Sequence, residues 1–74
     1  MKNHLAERLR MLRCQCGLTQ QQVANSLSLT VQAISKWETG KNLPDIALLP
    51  DIADLYGVSI DALFRDSSEK GRAD

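Results

Sequence analysis

The chain has 74 residues, of which 43% are hydrophobic and 24% are charged, which suits one folded domain and argues against a disordered segment. No apolar run approaches the roughly 20 residues that cross a bilayer, and no secretory signal is predicted, so we expect a cytoplasmic protein with no membrane partner. The formal net charge is 0, but residues 1–42 carry six basic and two acidic side chains, and residues 43–74 carry three basic and seven acidic ones. This asymmetry suits a molecule with one face toward a polyanion, although an ordinary mixed surface gives the same totals.

Capping residues mark the first two predicted helices. Asn3 is expected to cap a first helix that runs to about Cys16 and is ended by Gly17, with leucines at helical spacing along one face. Thr19 is followed three residues later by Gln22, which is the spacing of a capping box. A short second helix is therefore predicted directly after Thr19.

A third helix is predicted after a very short connection. Ser28 and Leu29 form a tight turn, Thr30 caps the helix, and Gly40 ends it after about Thr39. Two short helices joined by such a turn are typical of a helix-turn-helix unit.

The fourth predicted helical segment contains a proline. It opens at Asp45 and ends near Tyr56, with Pro50 between them. Proline is tolerated in a first helical turn but disrupts a helix interior. Two alternatives therefore stay open: the regular helix begins close to Pro50 after a looser turn, or the helix is kinked there.

The last predicted helix completes an all-α fold. Ser59 caps it, and it ends at about Phe64 or Arg65. No segment shows the alternating pattern of a strand. We therefore predict a compact five-helix domain over residues 1–65 and a flexible tail over residues 66–74.

The third helix has two unlike faces. At about 100° per residue, Ile34 and Trp37 fall on one side, which predicts that this side packs inward. The opposite side presents Gln32, Ser35, Lys36 and Thr39, with Val31 at its leading edge. Glutamine can pair with adenine N6 and N7, lysine can donate to guanine O6 or N7, and valine can pack on a thymine methyl group. A helix face that only contacts solvent would favour the same polar residues. This helix alone therefore does not decide between a DNA-contacting face and a solvated one.

The flanking segments favour DNA. The free N–H groups at Gln20, where the second helix begins, form a ready phosphate site. Lys41 and Asn42 follow the third helix and are placed to contact the sugar-phosphate backbone on its other side. Positioning contacts would then surround a base-contacting face.

Three stretches carry a resemblance to a known family: LRCQCGLTQQQVA, TVQAISKWETGKNLPDI and LLPDIADLYGVSIDALF. Residues 5–64 resemble the lambda-repressor and Cro type of helix-turn-helix domain, also called the xenobiotic-response-element family of bacterial and phage regulators. The resemblance implies a third helix in the major groove of double-stranded DNA. By position, it implies base contacts from Val31, Gln32 and Lys36, and backbone contacts from Gln20, Ser35, Thr39, Lys41 and Asn42.

The resemblance also implies an ion pair, and the chain differs from the family pattern at one position. Arg13 and Glu38 occupy positions that the family often pairs, and Arg13 is also placed to reach a phosphate. Where the family usually has glycine in the turn, this chain has Ser28. A positive φ at that serine would cost on the order of 1 kcal/mol.

Two functions are compatible with these features. The first is a transcriptional regulator, expected to be a repressor, that binds a palindromic operator as a homodimer. The alternative is a protein-interaction or antitoxin-like module that keeps the fold without operator binding. No catalytic constellation is present, so we expect no enzyme activity, cofactor, metal or small-molecule ligand.

Two minor features complete the predictions. Cys14 and Cys16 are expected to stay reduced, with Cys16 buried and Cys14 exposed. An apolar cluster near the last helix is expected mainly to complete the core, with any exposed remainder free for a two-fold contact. Its members are Leu55, Val58, Ile60, Leu63 and Phe64.

Overall fold

A computed structural model describes residues 4–65, which form five α-helices and one 3-10 turn without a strand. The elements are α1 (Leu5–Gln15), α2 (Gln20–Leu27), α3 (Val31–Glu38), the 3-10 turn (Ile46–Leu48), α4 (Leu49–Tyr56) and α5 (Ile60–Phe64). The predicted all-α, five-helix architecture is confirmed. The predicted tail, residues 66–74, and the predicted cap Asn3 lie outside the described residues.

Side-chain caps start three of the helices at the predicted positions. Thr19 Oγ1 accepts from the backbone N–H of Gln22 at 3.0 Å, and Gln22 Oε1 accepts from the N–H of Thr19 at 2.8 Å. This is a complete capping box. Thr30 and Ser59 accept from the N–H groups three residues ahead, at 3.2 and 3.1 Å. Each cap supplies a partner for an N–H group that has none within the helix.

Pro50 lies at the beginning of a helix, so the first of the two alternatives is correct. The regular helix α4 starts at Leu49, and Pro50 occupies its first turn. No backbone N–H is needed at that position, so the proline causes no kink. The looser turn before α4 is the 3-10 turn, where Asp45 accepts from the N–H of Ala47 at 3.1 Å.

The core lies where the inward faces of all five helices meet. Leu9, Val23, Ile34, Ile52 and Leu63, which come from α1 to α5 in turn, have the least exposed large side chains. Burial of such a side chain stabilises the fold by about 1.5–3 kcal/mol. The core therefore fixes the orientation of every helix, including α3.

A charged side chain of α1 is buried beside this core. Arg8 is 6% exposed, and its Nη2 and Nε donate to the carbonyl oxygen of Ala62 at 2.8 and 3.2 Å. Ala62 lies in α5, so the guanidinium joins α5 to α1. The sequence carries a signal for this burial, because Arg8 lies three residues after Leu5 and four before Leu12, on the apolar face of α1.

The prediction that Cys16 is buried is wrong. Cys16 and Cys14 are both exposed free thiols. Cys16 follows the last residue of α1, and its Sγ donates to the carbonyl oxygen of Tyr56 at 3.7 Å. The helical spacing that predicted burial does not hold at this position, because the chain leaves the helix there.

Candidate nucleic-acid interface

The two faces of α3 are divided as the sequence predicts. Ile34 and Trp37 are buried in the core. Gln32, Lys36 and Thr39 are exposed on the other side, and Val31 and Ser35 are half-buried along its edges. The structure thus brings the predicted base-contacting side chains to one solvent-facing side of a short helix. Within the described residues this face is not packed under another element.

The turn before α3 contains the one non-glycine residue in residues 4–65 with a positive φ. Ser28 has φ 60° and ψ 42°, which is the left-handed helical region. Leu29 N–H then donates to the carbonyl oxygen of Ala24 at 2.8 Å, which closes the end of α2. The chain therefore turns sharply enough for only three residues to separate α2 from α3.

A buried carboxylate joins α3 to the two preceding helices. Glu38, the last residue of α3, is 2% exposed in its side chain. Arg13 Nε donates to Glu38 Oε2 at 2.8 Å, and Arg13 Nη2 donates to Glu38 Oε1 at 3.0 Å. Gln20 Nε2 also donates to Glu38 Oε1, at 3.0 Å. The structure therefore brings together Arg13 and Glu38, as the resemblance implies. Gln20 is a third member of this hydrogen-bonded cluster and was not expected there from the sequence.

The guanidinium of Arg13 has a further partner. Its Nη1 donates to the carbonyl oxygen of Leu18 at 2.9 Å, in the connection between α1 and α2. The hydrogen bond to Glu38, together with the nearby negative charge, raises the pKa of Arg13 above its ordinary value. The guanidinium is therefore charged at every physiological pH.

Several predicted backbone contacts have internal partners in this structure. One amide proton of Gln20 is held by Glu38, which leaves that side chain one other proton to donate. Thr39 Oγ1 donates to the carbonyl oxygens of Ser35 and Lys36 at 2.9 and 3.4 Å. A phosphate oxygen is an acceptor, so Thr39 must exchange this intrahelical bond to donate to DNA.

The loop after α3 folds back onto the end of the helix. The N–H groups of Lys41 and Asn42 both donate to the carbonyl oxygen of Lys36, at 2.9 and 3.3 Å. The side chains of Lys41 and Asn42 are exposed. This arrangement fixes the loop backbone beside α3 and leaves both side chains available to a ligand.

A buried tyrosine lies near the same network. Tyr56 ends α4, and burial raises the pKa of its hydroxyl to about 12, with a smaller contribution from the negative charge of Glu38. The phenol is therefore neutral at ordinary pH. It contributes packing and no charge to the surroundings of the ion pair.

Residues 4–65 contain no cluster of three or more histidine, cysteine, aspartate or glutamate side chains with the geometry to hold a metal ion. No helix in this part of the chain has both the length and the apolarity to cross a bilayer.

Comparison with known proteins gives consistent results. The sequence profile of the helix-turn-helix family matches residues 9–63. The HTH-type transcriptional activator BcrR of Enterococcus faecalis is 44% identical over 57 residues, which are 77% of this chain and 28% of BcrR. The chain spans about half the length of several other curated regulators that it matches.

Solved structures share the same fold. A transcriptional regulator from Listeria innocua matches with a TM-score of 0.78 and 28% identity, over 96% of this chain and 73% of that one. Hydroxypropylphosphonic acid epoxidase from S. wedmorenis also matches with a TM-score of 0.78, at 30% identity, but over 85% of this chain and only 34% of the enzyme. The chain therefore belongs to the helix-turn-helix family of DNA-binding transcription regulators, of the xenobiotic-response-element type.

Proposed function

We propose that this chain binds double-stranded DNA sequence-specifically, as a homodimer on a palindromic operator in the cytoplasm, and represses transcription. The observation that carries the proposal is the exposed face of α3, held in a fixed orientation by the buried carboxylate of Glu38. Repression requires only occupancy of an operator, whereas activation requires a further contact with the transcription machinery. We propose no catalytic role and no cofactor, metal or small-molecule ligand.

Three side chains are proposed to contact bases. Gln32 and Lys36 are exposed and carry donors, so they can reach the purine N7 edge in the major groove. Val31 is the first residue of α3 and is half-buried. Its methyl groups suit a thymine methyl at the edge of the same contact.

The surrounding polar groups are proposed to position the domain on the backbone. Phosphate contacts fix register and orientation and carry no direct sequence information. The proposed contacts are Gln20, Ser35, Thr39, Lys41 and Asn42. Lys41 is the only one of these residues with a full charge. We therefore expect the DNA affinity of each bound copy to depend only weakly on salt concentration.

Selection of bound duplexes from a random pool tests the proposal. Enrichment of one sequence with two inverted halves, centred about 10 base pairs apart, is the expected result. A reporter placed downstream of that duplex should fall when the chain is expressed. Repeating the selection with Gln15→Ala, an exposed glutamine at the end of α1, should enrich the same sequence.

The alternative function is a protein-interaction or antitoxin-like module. It is favoured by the formal net charge of 0, which gives little long-range attraction to DNA. A gel shift with random duplex at low salt separates the two functions. Complete absence of binding would support the interaction module and overturn the DNA-binding proposal.

A further inference from the structure

Both cysteines lie in the turn that ends α1. Cys14 belongs to the last turn of the helix and Cys16 directly follows the helix, and both are exposed free thiols. The N–H of Gly17 donates to the carbonyl oxygen of Cys14 at 3.0 Å. The N–H of Leu18 donates to the carbonyl oxygen of Arg13 at 3.1 Å. With the positive φ of Gly17, 72°, these bonds form a Schellman motif between the two thiols and α2.

The same turn holds the residue that anchors α3. Arg13 Nη1 donates to the carbonyl oxygen of Leu18, while Nε and Nη2 pair with Glu38 at the end of α3. Cys16 Sγ donates to the carbonyl oxygen of Tyr56 at 3.7 Å, which joins this turn to the end of α4. A change in the backbone path of the turn therefore alters the ion pair that orients α3.

The two thiols cannot join while the turn keeps its helical form. Residues i and i+2 of a helix have Cα atoms about 5.4 Å apart, which is a normal separation for a disulfide. Their side chains point about 200° apart around the axis, however, which places the Cβ atoms about 7 Å from each other. A disulfide needs its two Cβ atoms at about 3.5–4.5 Å. The bond therefore requires the last turn of α1 to unwind.

We propose that Cys14 and Cys16 form a reversible redox switch, in which a disulfide between them opens the end of α1, breaks the Arg13–Glu38 pair and abolishes DNA binding. The reduced chain is the DNA-binding form. The loss of DNA binding rests on the proposed function, whereas the change in α1 and α3 does not.

The oxidant is a small disulfide of the oxidised-glutathione class. One cysteine thiolate attacks a sulfur of that disulfide, so a mixed disulfide forms and one glutathione thiolate leaves. The second cysteine thiolate attacks the protein sulfur of the mixed disulfide and releases the second glutathione. The two protein thiols thereby lose two electrons and two protons, which convert one oxidised glutathione into two thiols.

Folding sets the conditions under which the switch acts. Because the helical turn favours the reduced pair, the disulfide of the folded chain is strained and easier to reduce than that of the unfolded chain. A reducing compartment therefore keeps both thiols free, and a rise in oxidised glutathione closes the bond. DNA that binds only the folded form adds to this protection.

Titration with mixtures of reduced and oxidised glutathione tests the proposal, with the intact mass as the readout. The disulfide lowers the mass of one chain by about 2 Da, whereas a retained glutathione raises it by about 305 Da. The disulfide should form in buffer, but at a proportion of oxidised glutathione about 10-fold or more above that needed in concentrated urea. A saturating amount of the duplex selected from the random pool should raise the required proportion further.

Two further readouts follow the consequences of oxidation. Trp37 is the only tryptophan of the chain, is 7% exposed and directly precedes Glu38, so its emission should shift to longer wavelength in the oxidised chain. The oxidised chain should bind the selected duplex about 10-fold or more weakly, because the buried charge of Glu38 loses its partner. Dithiothreitol should restore both values. Cys16→Ser is the matched control, since it keeps Cys14 and should show neither change in the same mixtures.

The contrary outcomes are distinct. The switch is ruled out if oxidised glutathione alone gives only mixed or intermolecular disulfides, or if the folded and unfolded chains need the same proportion of oxidant. An oxidised chain with unchanged Trp37 emission rules it out as well, whatever its DNA affinity. Absence of DNA binding by the reduced chain would contradict the proposed function alone, and the mass and Trp37 results would still decide whether the disulfide opens α1.

Discussion

Arg13 and Glu38 form a two-bond ion pair, at 2.8 and 3.0 Å, across 25 residues of sequence. Both side chains are largely withdrawn from water, at 14% and 2% exposure. The same carboxylate accepts from Gln20, so one buried group connects α1, α2 and the end of α3. The orientation of the proposed base-contacting helix therefore depends on a residue of α1 that is distant in sequence.

Arg13→Met is expected to destabilise the domain by about 3 kcal/mol or more, because it leaves the buried charge of Glu38 without its main partner. The loss is measured as the free energy of unfolding in urea, followed by circular dichroism. A domain of this size has only about 3–5 kcal/mol in total, so the variant should be close to unfolded. Arg65→Met is the control, since its ion pair with Asp61 is exposed and contributes about 1 kcal/mol or less.

The double variant Arg13→Met with Glu38→Met separates lost charge pairing from lost packing. It removes both charges, so it should recover part of the stability that Arg13→Met loses. A double variant no more stable than the single one would contradict this account of the pair.

Ser28→Gly is expected to stabilise the domain by about 0.5–1 kcal/mol, because glycine adopts a positive φ without steric strain. The matched control is Ser26→Gly, two residues earlier and inside α2, where glycine should lower stability by a similar amount. Thermal unfolding of Ser28→Gly and Ser26→Gly measures the two changes in stability. Equal destabilisation by the two substitutions would show that Ser28 is not strained.

Alkaline pH is expected to destabilise the domain through Tyr56. In the unfolded chain the hydroxyl has a pKa of about 10, and in the folded protein burial raises this pKa to about 12. Below pH of about 10 both states are protonated and stability is unaffected; above it the unfolded state loses the proton first, so stability falls. The full loss is about 2–3 kcal/mol and is complete above the folded pKa.

Tyr56→Phe tests this assignment, because every other alkaline titration is shared by the two proteins. Urea unfolding between about pH 9 and pH 11 should show a shallower decline for the variant than for the wild type. Parallel curves would mean that the Tyr56 hydroxyl titrates normally in the folded protein.

Gln32→Ala and Lys41→Ala are expected to weaken DNA binding in different ways. Gln32→Ala should lower affinity by about 1–3 kcal/mol and relax specificity at one base pair. Lys41→Ala should weaken binding equally on all sequences. It should also reduce the slope of log affinity against log salt concentration by about one. Gel shifts on the selected duplex and its single-base variants separate the two, and uniform weakening by Gln32→Ala would remove Gln32 from the base-contacting set.

Arg8→Met is expected to cost about 1–3 kcal/mol, since the carbonyl oxygen of Ala62 loses its buried donor while the apolar part of the side chain is kept. Arg10→Met, an exposed neighbour in α1, should change stability by about 0.5 kcal/mol or less. Unfolding in urea measures the change in the free energy of unfolding for each variant. An equal loss of stability in the two variants would show that the hydrogen bonds to Ala62 do not stabilise the fold.

The local features of the fold were predictable because each depends on neighbours in the sequence. Thr19 with Gln22, Thr30 and Ser59 cap their helices through groups three residues away. The inward side of α3 follows from the spacing of Ile34 and Trp37. Such signals need no knowledge of the tertiary structure.

The remaining features depend on where distant segments meet. Gln20 was predicted to contact the DNA backbone because it lies at the start of α2. Nothing in that segment shows that its side-chain amide lies 3.0 Å from the carboxylate of Glu38.

The predicted apolar cluster does complete the core through Leu63, Leu55 and Val58, and its exposed remainder is Ile60 and Phe64. Leu43 and Ile46, which lie outside that cluster, are exposed as well and were not predicted to be so. Burial at these positions is set by packing between helices, and periodicity within one segment does not report it.

The burial of the Arg13–Glu38 pair also has a practical consequence for measurements of binding. Ions screen charges that water can reach and have much less effect on a pair that water scarcely reaches. Folding should therefore vary little over the range of ionic strength in which the exposed ammonium groups of Lys36 and Lys41 lose their attraction to phosphate. A titration with potassium chloride will then report on contacts with the duplex, uncomplicated by melting of the domain.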